Sequence, residues 1–206
     1  MTSKSERLRF MVCEQVESTI RGLFPYSKVL PFGSSVNSFG NCKSDLDMAI
    51  ITHKEQKKNN SSSRFVFHSK GNGKDDNKLL MAFMSYSLKN FAPGCQNVNN
   101  IFGARVPIIK FNQDFMGLDC DVSSKSSGYH MSNLLYIWGN LDWRVRPLMF
   151  AVRKWADEQN LIGSNRPTTL FTNFPMTLLV IFYLQSQHKI LPSFSRLKSL
   201  AGKSIL

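Results

Sequence analysis

"FGSSVNSFGNCKSDLDMAI", residues 32–50, sets a Gly-Ser pair ahead of two aspartates that flank one leucine. The pair Gly33-Ser34 follows the apolar run "KVLPF" (28–32). A short loop later, Asp45 and Asp47 flank one leucine at the start of a second run, "DLDMAII" (45–51). Side chains alternate along a strand, so Asp45, Asp47 and Ala49 share one face while Leu46, Met48 and Ile50 share the other. Two like charges ~4 Å apart repel by about 4 kcal/mol at an effective dielectric of 20, so such a pair needs an offset.

A later run, "GLDCDVS" (117–123), repeats the parity: Asp119 and Asp121 lie on one face, and Leu118, Cys120 and Val122 on the other. If the two strands pair, three carboxylates converge, to be neutralised by protons or by metal. The ligands are all oxygen, with no His or Cys close in sequence, which suits Mg²⁺ or Mn²⁺ and argues against zinc. Mg²⁺ completes its shell with water and substrate phosphates, so acidic clusters of this kind belong with phosphoryl transfer. Gly33 and Ser34 supply a matching half, because a strand that enters a short helix through Gly-Ser exposes backbone N–H groups to a phosphate. A lone D-x-D is usually a solvated turn, and a lone Gly-Ser says little. The ordered set of strand, Gly-Ser, D-x-D and a later Asp on another strand is far more specific.

The frame around this set is a basic globular chain. It has 206 residues, 42% of them hydrophobic, enough to bury a core. Its formal charge of +12 favours a polyanionic partner, with RNA, DNA, nucleotides and anionic membranes as candidates and solubility as the bland alternative. Cys13, Cys42, Cys95 and Cys120 form neither a C-x-x-C pair nor a zinc pattern, so free thiols in a reduced compartment are expected. The most apolar run, Phe174 to Leu184, falls short of the ~20 residues that span a bilayer and reads as a buried helix. The basic N-terminus has no apolar signal core, and no targeting address is read in it.

Along the chain, residues 3 to 23 place Leu8, Met11, Val12, Val16, Ile20 and Leu23 at helical spacing, with Ser3 and Glu6 as a capping box and Gly22 and Pro25 as the stop. Strands are predicted at 28–32, 45–51, "RVPIIKF" (105–111) and 117–123, and a helix at 78–91 ends before Pro93-Gly94. Residues 53–78 read as a flexible basic insertion around one short strand, "RFVFH" (64–68). From Ser132 onward the pattern is helical, with Asn173 as an N-cap, and Trp138, Trp143 and Trp155 assigned to packing. The predicted class is α/β (α+β).

The ordered set resembles the polymerase-β-type nucleotidyltransferase superfamily, whose signature is Gly-Ser, D-x-D and a distant third Asp. Within it the chain is most similar to the noncanonical poly(A) and terminal uridylyl polymerases, and nearest to the mitochondrial poly(A) polymerase branch. The stretches that carry the likeness are 31–48, "FAPGCQNV" (91–98), "ARVPIIKF" (104–111), 117–123, "LLYIWGNLDWRVRPLMFAVRKWA" (134–156) and "TNFPMTLLVIFYLQ" (172–185). They span almost the whole chain apart from the insertion.

The resemblance implies that Asp45, Asp47 and Asp121 hold two Mg²⁺ or Mn²⁺ ions and leaves Asp119 as a neighbour. It implies phosphate contacts from Gly33, Ser34, Arg153 and Lys154, a polar nucleotide contact from Asn173, and stacking of the incoming base on Phe174. It further implies a catalytic domain at 24–128 and a helical domain built from both chain ends, 1–23 with 129–206, the latter incomplete. The activity implied is template-independent addition of AMP from ATP to RNA 3′ ends; uridylyl transfer and a non-catalytic RNA-binding scaffold are the rivals. A mitochondrial location and a homodimer follow from the likeness alone, with no membrane partner. Two departures stand out: "SSKSSGYH" (123–130) lacks the asparagines that relatives place after the third Asp, and Asp157 stands where relatives often have a base.

Overall fold

A computed structural model describes residues 2–51, 73–104, 106–125, 127–162, 171–187 and 189–201. The predicted strand "RFVFH" and the greater part of the basic insertion lie outside the described residues. Contacts divide the chain into two compact units, Met1–Ser132 and Asn133–Leu206.

In the first unit, helix α1 (Ser3–Arg21) leads into β1 (Lys28–Phe32), a single 3-10 turn (Gly33–Ser35) and β2 (Leu46–Ile51). Helix α2 (Gly73–Phe91), β3 (Cys95–Ile101), β4 (Ile108–Gln113) and β5 (Leu118–Ser123) follow, and α3 (Ser127–Leu141) leaves the unit. The five strands form one mixed sheet in the order β1-β2-β5-β4-β3. Only β2 and β5 run parallel; the other pairings are antiparallel.

The alternation predicted for the acidic strands is what buries the core. Leu46, Met48 and Ile50 of β2 and Cys120 and Val122 of β5 point into one apolar cluster. Ile109 and Phe111 of β4, Met81, Met84 and Leu88 of α2, and Val12, Cys13, Val16 and Ile20 of α1 complete it. Burial pushes the Cys13 thiol up to about 12 and that of Cys95 up to about 11, so both pack as neutral side chains.

Several expectations change here. The N-terminal helix, assigned to the helical domain by the family resemblance, packs on β1 and α2, where Val12, Val16 and Ile20 join the apolar cluster under the sheet. Its N-cap is Thr2, whose hydroxyl accepts the Ser5 N–H, rather than Ser3. Met11 and Leu23 lie on the exposed side. Strand β3, "CQNVNNI", has no counterpart in the sequence reading: it is an edge strand exposed along most of its length, with a bulge between Gln96 and Asn99 and a positive φ at Asn97, so no apolar alternation marks it. Strand β4 begins at Ile108, just after Pro107, which has no N–H to give a ladder.

The second unit contains the rest of α3, α4 (Val145–Glu158), α5 (Asn173–Ser186) and α6 (Phe194–Ala201). Ala156, Ile162 and Met176 form a small core with Val152 against it. Trp138 is buried and donates its indole N–H to Pro192 O at 3.0 Å. Trp143 and Trp155, expected in packing, are instead exposed, at 81% and 53%. The N-cap of α5 is Thr172, one residue before the predicted Asn173.

Candidate active site

Strand register assembles the acids. Asp47 of β2 lies opposite Asp121 of β5 in the parallel pair, and Asp121 lies opposite Lys110 of β4. Phe32 of β1 is the partner of Asp47 on its other side. Directly paired residues project to the same face, so Phe32, Asp47, Asp121 and Lys110 form one row across the middle of the sheet. Asp45 sits just before β2, on the same parity as Asp47.

The electrostatics show how near the acids are to one another. The carboxyl of Asp47 is raised to about 6, by burial first and then by the charges of Asp121 and Asp45. That of Asp45 is also raised, by burial and by Asp121 and Asp119. Two cations work the other way on both acids, Lys110 and Arg9. Lys110 Nζ donates to Asp121 Oδ2 at 2.6 Å. Burial opposes its charge, but that bond and the surrounding acids outweigh burial and hold the ammonium above the ordinary lysine value. Among the described residues, no three acidic, histidine or cysteine side chains are gathered tightly enough to enclose an ion. Asp121 is paired with Lys110 instead. The neighbouring Asp119 accepts from Asn112 Nδ2 and belongs to a polar ladder that continues to Asn97.

The Gly-Ser turn is fitted to the acids by backbone contact. Gly33 has φ +66, and a Cβ built on it would lie 2.3 Å from Asp47 Oδ2. Only a residue without a side chain lets the turn pass this close to the carboxylate. Gly33 does not offer its N–H outward: that group donates to Ser132 Oγ at 2.7 Å, and Ser132 Oγ donates in turn to Gly128 O at 2.8 Å. Ser34 follows, partly buried, with its carbonyl against Gly40, where a Cβ would meet Ser34 O at 2.3 Å. Gly40 thus lets the loop from the turn to the D-x-D fold back beneath Ser34. On the far side, the guanidinium of Arg9 donates to Ser35 Oγ at 3.1 Å and to the main-chain oxygens of Ser44 and Asp45.

In the second unit, Arg153 on α4 donates its Nε–H to Asn173 Oδ1 at 3.0 Å, which joins two of the predicted nucleotide contacts. Burial lowers the pKa of Arg153. Phe174 is 45% exposed at the start of α5, on the surface rather than in the core. Lys154 and Asp157 are exposed, and Lys154 Nζ is 3.9 Å from Glu158 Oε1, a loose surface pair.

The structure therefore brings Gly33, Ser34, Asp45, Asp47 and Asp121 together in one unit, and Arg153, Asn173 and Phe174 together in the other. Arg9, Lys110, Gly40 and Ser132 escape a reading of the sequence. Two of them carry a signal: Arg9 lies at core spacing before Val12, Cys13 and Val16, and Lys110 interrupts the apolar run "PIIKF". Ser132 carries none.

Comparison with known proteins gives the family and the fold. The family model for the central palm domain of mitochondrial-like poly(A) RNA polymerases matches residues 1–140. The mitochondrial poly(A) RNA polymerase of Drosophila melanogaster is 38% identical over 205 residues, which is 95% of this chain and 33% of that protein. The crystal structure of mtPAP in complex with ATPγS superposes with a TM-score of 0.87 at 36% identity, over 98% of this chain and 43% of that one. The complex of mtPAP with UTP gives 0.88 at the same identity and coverage of this chain. The chain thus spans about a third of the curated relative and under half of the crystallised chain. It has the polymerase-β-type nucleotidyltransferase fold, and it belongs to the mitochondrial-like poly(A) RNA polymerase family.

Proposed function

We propose that this chain carries the catalytic palm, with a helical region at 129–206, of an enzyme that adds AMP from ATP to RNA 3′ ends without a template. The observation that carries the reading is the register of Asp47 against Asp121 on adjacent central strands, with the backbone of Gly33 packed on Asp47. A pure binding surface gains nothing from acids that repel one another at the centre of a protein of charge +12.

The donor set fits divalent metal. It is all oxygen, burial and the neighbouring acids raise the pKa values of Asp45 and Asp47, and the cation that neutralises Asp121 here is a flexible lysine, 45% exposed, that can swing aside. Asp45, Asp47 and Asp121 would hold two Mg²⁺ or Mn²⁺ ions, which when bound supply activation of the primer hydroxyl and charge stabilisation for the departing pyrophosphate. Gly33 contributes by its missing side chain, which keeps the turn against Asp47, and not by its N–H. Phosphate contacts fall to Ser34 and Arg153. Phe174 stacks on the base and Asn173, oriented by Arg153, contacts the nucleotide. With Lys154 and Asp157 at the surface, Arg153 is the principal basic contact of α4.

The RNA and ATP assignments rest on the names of the relatives and on the ATPγS complex of mtPAP. Because mtPAP has also been crystallised with UTP, GTP and CTP, a second reading is transfer of another nucleotide by the same residues, uridylyl transfer first among them. A mitochondrial location rests on the relatives' names, and a homodimer on the family likeness. Among the described residues, no helix is long and apolar enough to cross a membrane.

The test is extension of a labelled oligo(A) primer by the full chain, with each nucleoside triphosphate supplied alone with Mg²⁺ or Mn²⁺, beside Asp47→Ala. Extension with ATP that disappears in the variant supports the reading, and extension with UTP alone replaces it with the second. A folded full chain that extends no primer and shows no carboxylate-dependent Mn²⁺ binding overturns both in favour of a scaffold.

A further inference from the structure

Arg9 is the feature of the palm that its packing does not explain. It occupies a core position on α1, in line with Val12, Cys13, Val16 and Ile20, and is only 2% exposed. It forms no ion pair among the described residues, and its Nε is buried with no hydrogen-bond partner. A buried cation without a paired anion is expensive, and an apolar side chain of similar length would serve α1 at lower cost. What Arg9 has instead is a set of contacts made by the two ends of its fork. One terminal nitrogen donates to Ser35 Oγ and Asp45 O, at 3.1 and 3.2 Å, and the other donates to Ser44 O.

These acceptors stand at the two ends of the loop between the Gly-Ser turn and the D-x-D. Ser35 closes the 3-10 turn, and Ser44 and Asp45 lead into β2. The loop is held locally at each end: Phe39 is buried with its N–H donating to Asn37 Oδ1, Asn41 accepts the Lys43 N–H, and Ser44 Oγ accepts the Asn41 N–H, and none of these bonds joins Ser35 to Ser44 or Asp45. Arg9 therefore joins the two segments from within the protein, where water does not compete, by a planar fork that lysine does not reproduce.

Resting on the nucleotidyl-transfer reading above, we infer that Arg9 is a positioning residue for the carboxylate site: it locks the entry of β2 to the Gly-Ser turn, so that Asp45 and Asp47 hold one arrangement, and it places a fixed positive charge behind them. Arg9 touches neither nucleotide nor primer. Its effect runs through the main chain at Ser44 and Asp45.

The experiment compares the full chain with Arg9→Gln, Arg9→Lys and Ser35→Ala, reading Mn²⁺ affinity by electron paramagnetic resonance alongside kcat and KM for ATP. Loosening the ligands predicts about 10-fold weaker Mn²⁺ binding in Arg9→Gln. It also predicts a kcat lowered about 10- to 100-fold with KM for ATP within about 2-fold of wild type. Arg9→Lys, which keeps the charge and loses the fork, recovers Mn²⁺ affinity further than kcat. If Arg9→Gln does not fold, Ser35→Ala decides, since it leaves α1 intact; a kcat about 3- to 10-fold down with weakened Mn²⁺ binding supports the inference. Wild-type Mn²⁺ affinity and kcat in the folded variants, or a change in KM alone, overturns it while the functional reading stands. A wild-type chain that neither binds Mn²⁺ nor extends RNA overturns the functional reading, and the inference with it.

Discussion

Replacing Asp47 with asparagine should make the metal-free protein more stable. The carboxyl of Asp47 is shifted from 3.8 to about 6 by burial and by its acidic neighbours, so the native state binds this proton more tightly than the unfolded state. Stability therefore falls as pH rises from about 4 to about 6, and the full cost of ionisation is present above the native value. A pKa raised this far corresponds to a cost of about 3 kcal/mol at pH 7, shrinking to about 0.5 kcal/mol at pH 4, where the native carboxyl stays protonated and the unfolded one has only begun to gain from ionising. Asparagine at this position keeps the shape and never ionises. Urea unfolding of wild type and Asp47→Asn at pH 4 and pH 7, with chelator present, reads the difference directly. The variant should gain up to about 3 kcal/mol at pH 7 and little at pH 4. Added Mn²⁺ should then raise wild type selectively, by about 2.7 kcal/mol at one hundred times the dissociation constant. Equal stability at both pH values, or a loss at pH 7 alone, would refute the claim that Asp47 is an electrostatically strained acid.

Three further outcomes follow from the contacts around the turn and on α5. Gly33→Ala puts a methyl group 2.3 Å from Asp47 Oδ2 in a left-handed backbone conformation, so primer extension should fall by about 100-fold in kcat, read in single-turnover assays. Ser132→Ala leaves the Gly33 N–H without its acceptor and should cost about 1–3 kcal/mol in chemical unfolding. Phe174→Ala removes a ring already 45% exposed, so the melting temperature should barely move. Its KM for ATP should nonetheless rise by the ~1–3 kcal/mol that a stacked base contributes, and an unchanged KM with a lowered melting temperature would return Phe174 to packing.

How much of this is legible in the sequence depends on how far apart the interacting residues lie. The alternation of Leu46, Asp47 and Met48, and of Cys120, Asp121 and Val122, is a local property, and it names both the core face and the acidic face correctly. Strand β3 escapes because its asparagines carry no period, its place in the sheet being set by pairing with β4 rather than by burial. The apolar face of α1 is legible from its spacing, but its packing partner is not: the assignment of 1–23 to a domain built from both chain ends rests on the family resemblance, whereas α1 contacts β1 and α2. Ser132 and Arg9 act across long stretches of chain, on Gly33 and Asp45, and Lys110 meets Asp121 through the register of the β4–β5 hairpin. Such pairings emerge only once the topology is known. The exposed Trp143 and Trp155 show the limit of treating large aromatics as core by default.

The position of β5 has a consequence for how the protein comes into being. It is the middle strand of the sheet, yet it leaves the ribosome after β3 and β4, and Asp121 emerges long after Asp45 and Asp47. Until β5 inserts between β2 and β4, the nascent chain presents a Gly-Ser turn and two acids with no third. The parallel join of β2 to β5 is also the long-range step that sheet formation reaches slowly. Completion of the palm and completion of its carboxylate set are thus a single event, so a half-made or misfolded copy never holds the full set of acids.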